Sequence, residues 1–92
     1  MIKSFKHKGL ELFYNTGNTK GIQAVHAKKL EYLFVLLDAM SSTEDMKLPM
    51  LRFHQLKGDK KNLYSITVQA NWRLTFEFKN ENVYILDYTD YH

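Results

Sequence analysis

The second half of this chain alternates so regularly that few folds can accommodate it. Trp72, Leu74, Phe76 and Phe78 take every second position, with Arg73, Thr75, Glu77 and Lys79 between them. A period of two marks a β-strand with one apolar and one polar face. Residues 63–69 (LYSITVQ) also alternate and are rich in β-formers, and residues 83–88 (VYILDY) return as a third strand. Only Ala70-Asn71 separates the first two strands, and the polar run Lys79-Asn80-Glu81-Asn82 separates the second from the third. Links this short force antiparallel neighbours, since a parallel pair needs a crossover of a dozen or more residues. The sequence therefore predicts a three-strand antiparallel meander.

Upstream the period changes. Leu30, Leu33, Phe34, Leu37 and Met40 fall on one helical face, while Lys28, Lys29, Glu31 and Asp38 lie mostly away from it. Residues 9–14 suit a brief helix, and residues 2–5 a short edge strand. Residues 15–21 (NTGNTKG) read as a loop whose glycines are available for positive φ. Ser42-Thr43-Glu44-Asp45 resembles a capping box, predicting a short helix that ends before Pro49. The fold class is α+β, with a short N-terminal strand and helices packed on a C-terminal antiparallel sheet. Residues 1–92 form one domain.

Composition narrows the function. The chain has no cysteine, which excludes disulfides, thiolate metal sites and a cysteine nucleophile. It carries no signal-peptide core and no apolar run long enough to span a membrane. The expectation is a soluble cytoplasmic protein with no membrane partner. The formal charge of +3 leans towards nucleic-acid or acidic partners, without deciding the matter. No Walker A, GxGxxG, HExxH or GxSxG pattern is present. His7 and His26 lie apart from any acid pair with metal-ligand spacing, so no metal and no cofactor is expected.

Three segments carry possible chemistry, each with a plainer reading beside it. The tail Asp90-Tyr91-His92 brings an acid, a phenol and an imidazole together after a strand. Histidine is the natural proton carrier near neutral pH; the plainer reading is a frayed end. The segment His54-Gln55-Leu56-Lys57-Gly58-Asp59, followed by Lys60-Lys61-Asn62, offers cations and a turn to a phosphate. It also reads as a solvated basic loop. In Asn71-Trp72-Arg73 the alternation turns Trp72 to the core and Arg73 to the other face. There its planar fork suits a phosphate, or it simply pairs with Glu77.

These stretches resemble the RelE/HigB toxins of bacterial toxin–antitoxin systems, in the HigB-like killer-protein branch. MIKSFKHKGL, HQLKGDKKNLYSITVQANWRLTF and YILDYTDYH carry the likeness, over more than half of the chain. The resemblance implies a RelE-like fold and a ribosome-dependent mRNA endonuclease. By position it implies a catalytic cluster of His54, Lys57, Arg73, Asp90, Tyr91 and His92, with Asn71 supporting the turn. Its implied partners are a helix-turn-helix, HigA-like antitoxin in a hetero-oligomer, and the 70S ribosome with its mRNA. One departure is Gln69, where family members often carry arginine; Lys60, Lys61 and Lys79 are candidates to make up for that cation.

RNA can be cut without metal or water when its own 2′-OH attacks the adjacent phosphorus. That route needs a base, an acid and positive charge on the phosphorane oxygens. The residue types suit His92 and Asp90 for the protons, with His54 as alternative acid. Arg73 and Lys57 suit the charge, and Tyr91 suits a base to be stacked or positioned. A non-catalytic RNA- or ribosome-binding module is the alternative, and it leaves His54 and His92 without a task.

Overall fold

A computed structural model describes residues 1–58 and 62–91 of the chain. Helix α1 (Lys8–Thr16) and helix α2 (Ala27–Ala39) precede four strands: β1 (His54–Gln55), β2 (Leu63–Gln69), β3 (Trp72–Lys79) and β4 (Asn82–Asp90). The strands form one antiparallel sheet in the order β1-β2-β3-β4. The expected meander is its last three strands. The fourth, β1, consists of two residues that lie outside the predicted meander and are too few to show a period. Short 3-10 turns at Thr43–Met46 and Pro49–Leu51 lead into it. Asp45 organises the first by accepting the backbone N–H groups of Ser41 (2.8 Å) and Ser42 (3.2 Å).

The helical periodicity becomes the core. Leu30, Leu33, Phe34, Leu37 and Met40 are all buried, and they pack with Leu10 and Phe13 of α1 against Ile66, Leu74, Phe76, Val83 and Leu86 of the sheet. His7 caps α1 through Nδ1, which accepts the Leu10 N–H at 3.0 Å. Gly17 ends the helix in the left-handed region at φ 79°, its N–H donating to the Phe13 carbonyl. Gly21 serves a purpose other than positive φ. A Cβ there would lie 2.4 Å from the Gly9 Cα, so the loop and the first turn of α1 touch backbone to backbone. Asp38 joins both ends of this layer. Its two oxygens accept the Ile2 N–H (2.8 Å) and the Tyr14 hydroxyl (2.7 Å). Burial and the neighbouring carboxylate push the Tyr14 hydroxyl up to about 12.

The expected N-terminal strand is a strap along the outer edge of β4. It runs parallel to β4 and meets it at two isolated bridges, Ile2↔Val83 and Phe5↔Leu86. A bulge between them prevents a continuous ladder. At its centre Ile85 takes φ 48° and donates its N–H to the Ser4 hydroxyl instead of to backbone. Among the described residues no helix is long and apolar enough to cross a membrane.

Candidate active site

The helices cover one face of the sheet and leave the other open. Residues directly opposite in an antiparallel pair share a face, so the register defines what the open face presents. One transverse row runs His54, Ser65, Thr75, Asp87, and the next runs Thr67, Arg73, Thr89. Beyond that second row lie the Ala70–Asn71 turn and the end of β4.

Arg73 is held by the turn it follows. Its Nη1 donates to the Ala70 carbonyl at 2.7 Å and to the Trp72 carbonyl at 3.3 Å. Ala70 itself sits at φ 51°, a conformation a side chain disfavours, so the turn stores strain next to this cation. Among the described residues no carboxylate pairs with Arg73, and Glu77 is taken by Lys79 at 3.4 Å. A guanidinium has five N–H donors. Several therefore remain available on a charge that nothing described here neutralises.

The tail is anchored as far as Tyr91. Strand β4 runs through Asp90, and the Tyr91 N–H donates to the Asn71 carbonyl at 2.8 Å. Asn71 thus ties the β2–β3 turn to the chain end, and Gln69 lies exposed just before that turn, opposite Trp72. The tail residues divide between the two faces. Asp90 pairs with Trp72, which places it on the helix side with Tyr88, whereas Tyr91 returns to the open face. Asn71, Arg73 and Tyr91 therefore gather at one end of the sheet. His54 and Lys57 stand on its β1 edge, both exposed.

Strand spacing puts the His54 and Arg73 backbones about 12 Å apart across two strand intervals, a separation their side chains can bridge around one phosphate group. The His54 Nδ1 lies 3.2 Å from the Arg52 carbonyl. A carbonyl only accepts, so Nδ1 carries the hydrogen and Nε2 is left to exchange a proton. Lys60, Lys61 and His92 lie outside the described residues.

Beside Tyr91, the open face presents residues that carry no candidate role in the sequence. Lys6, Leu56, Leu63, Thr75, Ile85, Asp87, Thr89 and Tyr91 line a cavity of about 270 Å³. Ser65 is fully buried beneath this face, and its hydroxyl, like those of Thr67 and Thr89, has no partner among the described residues. The signal was present as the polar phase of the strand alternation. Alternation tells which residues share a face but not whether that face is concave.

Behind Arg73, on the helix side, Trp72 stacks on Tyr88 with ring centroids 4.5 Å apart. The Tyr88 hydroxyl accepts the Gln23 N–H at 3.2 Å and lies 2.6 Å from His26 Nδ1. Tyr88 and His26 thus share one buried hydrogen bond, whichever of the two supplies the hydrogen. Burial lowers the His26 pKa, as expected for an imidazole with 3 % exposure. Burial, helped by the Asp90 charge, raises that of Tyr88.

Comparison with known proteins agrees with this architecture. The sequence matches the family model described as RelE-like toxin of type II toxin-antitoxin system HigB over residues 3–92. It is 44% identical to the Endoribonuclease HigB of Proteus vulgaris over 92 residues, covering 100% of both chains. It is 33% identical to Toxin HigB-1 of Vibrio cholerae serotype O1, covering 100% of this chain and 98% of the relative. The fold is also that of the E. coli DinJ-YafQ toxin-antitoxin complex, at TM-score 0.62 and 19% identity over 98% of this chain and 90% of that one. This chain belongs to the HigB family of RelE-like toxins of type II toxin–antitoxin systems.

Proposed function

We propose that this toxin is an endoribonuclease that cuts mRNA on the translating ribosome and is neutralised by a helix-turn-helix antitoxin. The relative from Proteus vulgaris, 44% identical along the whole chain, bears the name endoribonuclease. The observation that carries the reading to residues is Arg73, a cation fixed by its own turn and left without a described carboxylate on an open, concave sheet face.

In this reading the scissile phosphate sits over Arg73, with Lys57 closing from the β1 edge. The 2′-OH loses its proton and its oxygen bonds to phosphorus. The 5′-oxygen takes a proton as its bond breaks, leaving a 2′,3′-cyclic phosphate and a 5′-hydroxyl. His54, through Nε2, and the tail residue His92 carry these protons, Tyr91 positions a base, and Asp90, on the helix side of the sheet, takes no part in the proton transfers. Arg73 and Lys57 stabilise the dianionic phosphorane; each donor aimed at developing charge is worth about 2–4 kcal/mol. Asn71, Gln69, Lys60 and Lys61 hold the RNA around the site.

The test is to induce the protein in a bacterial host and map RNA 5′ ends. Wild type should arrest growth and create new ends within translated messages, while Arg73→Ala should lower cleavage by about 10²–10³-fold. Full toxicity of Arg73→Ala would refute the placement. Efficient cutting of naked RNA would refute the dependence on ribosomes, and salt-sensitive RNA binding without new ends would identify a binding module.

A further inference from the structure

We infer that the cavity at the centre of the open sheet face is a nucleobase pocket, in which Asp87 selects bases bearing an exocyclic amino group. This rests on the endoribonuclease reading and extends it to substrate choice.

The shape comes first. About 270 Å³ is near the lower limit of small-molecule sites, enough for one aromatic base. Leu56, Leu63, Ile85 and Tyr91 supply apolar and aromatic walls, and Tyr91 is the stacking partner that RNA recognition commonly uses. Ile85 holds its place at φ 48°, a conformation unfavourable for a β-branched residue. Such strain is characteristic of sites that use it.

The polar groups point to a base and away from a phosphate. Asp87 Oδ1 accepts the N–H of Tyr88 at 2.9 Å, which fixes the carboxylate and leaves Oδ2 for a guest. Lys6 also lines the cavity but makes no ion pair with Asp87 among the described residues, so the carboxylate keeps its charge and disfavours a phosphate placed beside it. Arg73 lies one row further along β3 and β4, about 7 Å away by strand geometry. A nucleotide whose phosphate lies over Arg73 can reach that far with its base.

Thr75, opposite Asp87, and Thr89, opposite Arg73, both line the cavity. The Thr89 hydroxyl is one of three on this face that have no partner among the described residues. Buried hydroxyls are normally partnered, so these suit a polar guest. An ionised carboxylate only accepts hydrogen bonds. It therefore rewards the exocyclic amino groups of adenine, cytosine or guanine, whereas uracil carries carbonyl oxygens at its exocyclic positions and has only its ring N3–H to donate.

Two measurements test the pocket. In the first, 5′-AMP, 5′-CMP and 5′-UMP are titrated into the protein, with the amide resonances of Thr75, Asp87 and Thr89 as the readout. AMP and CMP should move these resonances and bind at least about fivefold more tightly than UMP, the lower limit of base discrimination by well-placed hydrogen bonds. Asp87→Asn, which turns half of the acceptor into a donor, should erase the preference. Equal binding of UMP, or no movement of those resonances with any nucleotide, overturns the inference whether or not the protein cuts RNA.

In the second, 5′ ends are mapped for wild type and Asp87→Asn. The ratio of amino-bearing bases to uracil at the selected position should fall at least about fivefold in the variant. An unchanged ratio with cleavage intact refutes the pocket and leaves the nuclease reading standing. Absence of cleavage by wild type refutes the nuclease reading, and the titration then decides the pocket alone. If Asp87→Asn does not fold, Asp87→Ser, which also removes the carboxylate, replaces it in both measurements with the same criteria.

Discussion

Removing one oxygen from Tyr88 should cost this protein a sizeable share of its stability. Tyr88→Phe keeps the ring that stacks on Trp72 and deletes the hydroxyl that serves both His26 and Gln23. His26 is buried at 3 % exposure, so its Nδ1 would lose its partner with no water to replace it. An orphaned buried polar group costs about 1–3 kcal/mol. Gln23 is exposed, and its N–H can turn to solvent at a cost of about 0.5 kcal/mol. The expected loss is therefore about 1.5–3.5 kcal/mol, against a total of about 5–15 kcal/mol for a typical domain. With an unfolding entropy of about 2.1 cal/mol/K per residue, the melting temperature should drop by about 8–18 °C.

Thermal unfolding followed by circular dichroism reads this shift, and urea unfolding should show a lower midpoint at unchanged slope. A second variant makes the argument specific. His26→Leu in the Tyr88→Phe background removes the stranded nitrogen, so the double variant should be less destabilised than the sum of the two singles by about 1 kcal/mol or more. A fall of less than about 3 °C for Tyr88→Phe, or strict additivity of the pair, would refute the claim that this hydrogen bond holds the layer behind Arg73.

The same histidine sets an acid limit. Its folded pKa lies below the unfolded value, so the unfolded chain takes up the proton first. Stability should hold above about pH 6.5 and fall as the pH drops below it, by up to about 1.4 kcal/mol per pH unit. His26→Leu should flatten that limb of a plot of urea midpoint against pH. The two loop glycines should respond differently to alanine. Gly21→Ala meets the Gly9 backbone and should lose about 2–3 kcal/mol by urea unfolding, whereas Gly17→Ala has open space around it and should lose only about 1 kcal/mol through its φ of 79°.

Strand and helix periods were legible because burial is a local bias repeated many times. Leu30 to Met40 and Trp72 to Phe78 each repeat it often enough to fix a face. Residues 2–5 were harder. Their apolar spacing says strand, but only the bulge at Ile85 explains why the strand becomes two bridges. Gly21 was misread for a related reason, since a glycine needed for close approach looks in sequence like one needed for positive φ.

Within the site, Arg73 was legible as the lone arginine in a polar phase, and its freedom from Glu77 was not, because Lys79 is an equal candidate in sequence. Asp87 and the buried hydroxyls escaped notice because Ser, Thr and Asp on alternate positions are what a solvated face also looks like. Ser65 departs from that pattern only in three dimensions.

The strap on β4 has a bearing on how this protein avoids joining itself. An open sheet invites foreign strands wherever backbone donors and acceptors line up unpaired along a margin. On one margin Met1, Lys3, Ser4 and Lys6 already occupy the outward groups of Val83 and Leu86, and two of them bring positive charge. On the other, the terminal strand has only His54 and Gln55, too short a template for another chain to read. Both features shorten the run of unpaired backbone that a foreign strand could read along either margin.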